Sequence, residues 1–103
     1  MTKLSDYNAR AVGIAWIREE DYTACRAIFE DGDKFFSTWE KWVESANKSE
    51  AEFKSQGYIV ERAYIDPDTF ADWCRINTVT CGREGRTKFA ADFIAKKYSR
   101  NQS

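Results

Sequence analysis

Two hydrophobic periods alternate along this chain, and their order sets the expected fold. Between positions 8 and 18, Val12, Ile14 and Trp16 alternate with Ala11, Gly13 and Ala15. A period of two belongs to a strand, here with a bulky face and a small face. The small face would let a helix backbone or a second sheet approach closely. A helix here would carry Gly13 in its interior at a cost of about 1 kcal/mol relative to alanine, so a strand is expected. Glu19, Glu20 and Asp21 then crowd a first helical turn, where the dipole favours anions, and Tyr22, Cys25, Ile28 and Phe29 share one face. Asp31-Gly32-Asp33 is a turn signal, with Asp33 the expected cap of a second helix over about 34–56. Phe35, Trp39, Trp42, Val43, Ala46 and Phe53 form its apolar stripe. Such a helix is on the order of 35 Å long, so its polar second half is expected to project or to support a partner chain.

The stretch 57–75, GYIVERAYIDPDTFADWCR, reads as helix stop, strand, turn and helix start. Gly57 suits the left-handed position past a helix end. Residues 58–65 are rich in β-branched and aromatic side chains. One face carries Tyr58, Val60, Arg62 and Tyr64, the other Ile59, Glu61, Ala63 and Ile65, so each has a single charge near its middle. Asp66 is the expected helix cap, Pro67 the first helical residue, and Asp68 a dipole charge. Phe70, Trp73 and Cys74 follow at helical spacing. After a break at 78–82, with Thr80 as a possible cap, a last helix over 83–98 has Phe89, Ala90, Phe93, Ile94 and Tyr98 as its apolar face. Lys96 and Lys97 sit in its last turn, where cations suit the dipole.

The expected fold is therefore a single α+β domain over residues 1–103, ordered β-α-α-β-α-α, with 1–7 and 100–103 frayed. A hairpin of the first two helices would return the chain so that the strands pair antiparallel beneath a helical layer. Two strands alone are marginal. A homodimer that completes the sheet is the expected assembly.

Composition narrows the chemistry. The 103 residues carry a net charge of -1 and 16% aromatic residues, which favours a packed core and demands neither nucleic acid nor membrane as partner. Histidine is absent, which removes Ser-His-Asp and Cys-His catalysis and the usual zinc sites. No cofactor is expected. The N-terminus has no signal-peptide run, and Cys25, Cys74 and Cys81 are odd in number without a C-x-x-C pair, so a reducing, cytoplasmic setting is expected.

Gly57, Val60, Ile65, Asp66, Phe70, Trp73, Cys74, Arg86, Phe89 and Ala90 make a pattern of strand, then I-D-x-x-x-F-x-x-W-C-R, then an Arg and a Phe-Ala on a final helix. This pattern resembles a group of small uncharacterised bacterial proteins. The resemblance covers roughly the C-terminal half and implies the fold without implying an activity.

Four constellations remain. Asp66, Asp68 and Asp72 lie within seven positions and could hold a hard cation, but they lack the glycine and distal glutamate of an EF-hand loop. Their plain reading is a cap, a dipole charge and an Asp72–Arg75 ion pair. Cys74 and Cys81 could meet across a helix end, yet Trp-Cys on an amphipathic helix reads as core. Residues 83–103 hold six basic and two acidic residues. Arg83, Arg86, Lys88, Lys96 and Lys97 could track phosphates, or be solvated cations facing the acidic remainder. Phe35 and Phe36 should point to different sides of one helix, leaving one for an interface. The reading that follows is a non-enzymatic, self-associating interaction or accessory protein. The alternatives are a nucleic-acid-associated protein using the basic helix and, behind it, a metal-dependent enzyme using the aspartates.

Overall fold

Both expected extended segments are strands, β1 (Ala11–Trp16) and β2 (Ile59–Tyr64), in the computed structural model, which describes residues 10–99. They form a two-stranded sheet that is parallel, with Ala11 opposite Ile59 and Trp16 opposite Tyr64. This corrects the antiparallel expectation. The reason lies in the lengths of the helices between the strands. α1 (Tyr22–Ile28) has seven residues and turns the chain at the end of β1. Only α2 (Trp39–Ser55), with 17 residues and thus about 25 Å, is long enough to run back along the sheet. One return pass delivers the chain to the start of β1, where the Ile59 N–H donates to the Arg10 carbonyl at 2.9 Å. Two strands that start at the same end run parallel, with a helical crossover between them.

α2 begins later than its apolar stripe suggests. Residues 32–34 form a 3-10 turn, and the cap is Thr38, whose hydroxyl accepts from the Lys41 N–H at 3.2 Å, not Asp33. Gly32 is held against the Arg26 carbonyl where a Cβ could not fit, and Phe35 is needed in the core beside Phe29 and Tyr22. A helix running through 34–38 would lose that packing. The second half of α2 does not project. It lies along β2, with Glu50 bonded to Arg62 and Phe53 edge-on to Tyr58 at 5.6 Å.

α3 (Phe70–Ile76) starts three residues past Pro67, which falls in a turn. The Asp66 carboxylate still closes that turn, accepting from the Asp68 N–H at 2.9 Å. α4 (Arg83–Ser99) is close to its expected span. Thr80 does not cap it directly. Glu84 reaches back to accept from the Thr80 N–H and hydroxyl. The described residues thus form a small α+β domain of four helices and one sheet. The ends expected to fray, 1–7 and 100–103, lie outside them.

The sheet is covered on both faces. Ala11, Gly13 and Ala15 of β1 lie on the face against α4. A Cβ on Gly13 would stand 2.5 Å from the Ala90 carbonyl oxygen and 2.9 Å from Ile94 Cγ1, so the small face serves the close helix approach its spacing predicts. The bulky face meets α2, where Trp16 and Trp42 pack edge to face at 5.3 Å. Trp16, Ile17, Tyr22, Cys25, Phe29, Trp42, Ile65, Phe70 and Cys74 belong to one buried cluster. The Trp39 indole N–H donates to the Ile17 carbonyl at 2.9 Å, tying the start of α2 to the end of β1.

Candidate functional site

In a parallel ladder each strand turns alternate residues' N–H and C=O groups toward its neighbour. The register, with Ile59 donating to Arg10 and Ile65 to Trp16, turns Ile59, Glu61 and Ala63 of β2 inward. Val60, Arg62 and Tyr64 therefore point their backbone groups outward, as Ala11, Gly13 and Ala15 do on β1. None of these six makes a backbone hydrogen bond outside the ladder to another described residue. Such an edge is a template for another strand. Tyr58 and Tyr64, both exposed, stand at the two ends of the β2 edge. The Arg18 guanidinium lies 4.2 Å above the Tyr64 ring and orients it.

The two mid-strand charges of β2 hold this edge in place. Arg62 faces α2, makes a two-pronged pair with Glu50 at 2.8 and 2.9 Å, and lies 3.8 Å over the Trp16 ring. The Arg62 hydrogen bonds hold the Glu50 carboxyl below its usual pKa, and the pairing raises that of Arg62. Glu61 faces α4 and receives Lys97 at 2.8 Å and the Tyr98 hydroxyl at 2.9 Å. Its pKa is lowered chiefly by the Lys97 hydrogen bond, against the opposing effect of burial. One charge thus fixes one helix on each side of β2.

The aspartates do not converge. Asp66 closes its turn, Asp68 gives that turn its N–H, and Asp72 pairs with Arg75 at 3.3 Å in solvent. Among the described residues no group of three or more acidic or cysteine side chains could hold a metal ion. The basic residues of α4 scatter. Arg86 turns inward, forks onto Asp31 at 2.9 and 2.8 Å, and lies over the rings of Phe29 and Phe35, 4.6 and 4.8 Å from their centroids. Lys97 holds Glu61, and Lys88 is 3.7 Å from Asp92. Arg83 and Lys96 make no ion pair with another described residue. Phe35 packs on the core and Phe36 is exposed, as expected, although both precede α2 and neither is part of a helix.

Burial pushes the Cys25 thiol up to about 12 and the Cys74 thiol to about 11, and raises Cys81 as well. The carboxylates that shift, Asp31, Glu50 and Glu61, all move down. No helix among the described residues is long and apolar enough to cross a membrane.

Sequence reasoning missed the Asp31–Arg86 clamp and the pinning roles of Glu61 and Arg62. A single charge at the centre of each strand face was the available signal for the second. The first joins residues 55 positions apart, with no local trace. Comparison of the chain with protein-family models, with curated proteins and with solved structures finds no match.

Proposed function

We propose that this chain is a non-enzymatic interaction protein that self-associates through the outer edge of β2. The observation that carries the reading is the row of outward backbone groups at Val60, Arg62 and Tyr64, on a strand rigidly held from both faces. Two copies related by a two-fold axis would meet edge to edge with their β2 strands antiparallel, giving a sheet ordered β1-β2-β2-β1. Four strands relieve the marginality of two. Arg62 would face its own copy near the axis, and Glu50 already neutralises it in each chain.

Light scattering across a concentration series tests this. The expected mass rises from one chain toward two by high micromolar concentration. Val60→Pro removes an outward N–H that no described residue accepts, so its circular dichroism should match the parent while its mass stays that of one chain. Tyr64→Lys, a charge at the end of the edge, should act the same way. A parent that remains a single chain at high micromolar concentration contradicts the reading.

A further inference from the structure

α1 and residues 32–37 line a cleft of about 370 Å³. Its two walls are tied together. The Tyr22 hydroxyl donates to the Phe36 carbonyl at 2.6 Å, and Gly32 is held against the Arg26 carbonyl. The Gly32 N–H donates to the Phe29 carbonyl at 3.0 Å, and the Phe35 N–H to the Gly32 carbonyl at 3.2 Å, which fixes the turn between the walls. Four polar side chains face this cleft: Thr23 and Arg26 from α1, Asp33 and Ser37 from the residues after it. None of the four side chains makes a hydrogen bond or an ion pair with another described residue. The Arg26 Nε is in addition shielded from solvent without an acceptor, the situation in which an unpaired N–H costs most.

Arg26 and Asp33 thus bring opposite charges to one cleft without neutralising each other. The guanidinium only donates, the carboxylate only accepts, and the Thr23 and Ser37 hydroxyls do both. A ligand matched to this set carries an anion and a cation close together. A phosphate or a simple carboxylic acid would meet Asp33 with like charge, and a simple amine would leave Arg26 unpaired. An α-amino acid carries both charges on one carbon.

We propose that this cleft binds a free α-amino acid as its zwitterion. The ligand carboxylate is taken by the Arg26 guanidinium in a two-pronged pair that gives Nε–H its acceptor. The ligand ammonium donates to Asp33, and the Thr23 and Ser37 hydroxyls supply the remaining hydrogen bonds. Nε meets the carboxylate by a turn of the Arg26 side chain toward the cleft. That turn breaks no hydrogen bond or ion pair to a described residue, because the guanidinium makes none. The cleft falls in the size range of small-ligand sites and holds the ligand side chain as well as its charged head, with the Tyr22 ring as an apolar wall. None of these residues belongs to either strand, so the site is independent of the β2 edge.

The test is an amide chemical-shift titration of the full chain with free glycine, alanine, serine, leucine and phenylalanine at millimolar concentration. At least one should give saturable shifts centred on residues 22–37. The N-acetyl form of that amino acid, which lacks the cation, and its amide, which lacks the anion, should each bind at least about tenfold more weakly. Arg26→Gln and Asp33→Asn should weaken the unmodified amino acid by a similar factor. Because Arg26 has no described partner to lose, Arg26→Gln should keep the urea midpoint of the parent. No saturable shift with any of the five, shifts centred elsewhere, or equal affinity for the acetylated or amide form overturns the proposal. So does either variant binding as the parent does, or a lowered midpoint for Arg26→Gln, which would show the guanidinium already engaged.

Discussion

Gly13 carries more structural consequence than its size suggests. Its missing Cβ is what lets the backbone of α4 approach β1, with the Ala90 carbonyl at the place a methyl would occupy. Gly13→Val is therefore expected to lower stability by about 1–3 kcal/mol or more, read from the urea midpoint, because neither backbone can yield cheaply. An unchanged midpoint would mean that α4 does not sit on β1. Arg86 is a second such residue. Its planar fork meets both Asp31 oxygens while the guanidinium lies over Phe29 and Phe35, and lysine cannot reproduce the two-pronged pair. Arg86→Lys should cost about 1–3 kcal/mol despite keeping the charge. Equal stability of the two proteins would reduce the clamp to a surface ion pair.

At the scale of elements, β2 joins the two helical layers through adjacent residues of opposite charge. Glu61 bonds to α4 and Arg62 to α2. The Glu61 and Glu50 carboxyls, with Asp31, are held below their usual pKa by hydrogen bonds from Lys97, Arg62 and Arg86 respectively. A carboxyl depressed in the folded state contributes stability that is present above its unfolded pKa of about 4 and is lost as pH falls through the folded value. The urea midpoint should thus drop steeply below about pH 4, and the Glu50→Gln, Glu61→Gln double variant should show a shallower fall from a lower plateau. Parallel curves for the two proteins would contradict this assignment. Local patterns made much of this visible. The alternation at 11–16 and the β-branched run at 58–65 mark both strands, and the small face of β1 marks the helix contact. The start of α2 was not legible, because Phe35 fits a helical stripe as well as it fits the core beside Phe29. The Asp31–Arg86 pair was hidden for another reason: nothing near either residue signals a partner so distant in the chain.

At the scale of the molecule, strand direction turned on how many helices span the sheet. Hydrophobic spacing places two helices between the strands and says little about which of them runs the sheet's length. With α1 only seven residues long, the chain crosses once and the strands are parallel. Among the described residues the two parallel strands leave two unpaired edges, and the proposed assembly uses the one on β2. Amide hydrogen exchange along β2 at several protein concentrations tests ladder and assembly together. The N–H groups of Ile59, Glu61 and Ala63 should exchange slowly at every concentration. Those of Val60, Arg62 and Tyr64 should exchange quickly at low micromolar concentration and become protected at high micromolar concentration. Fast exchange of Val60, Arg62 and Tyr64 at all concentrations would contradict the account.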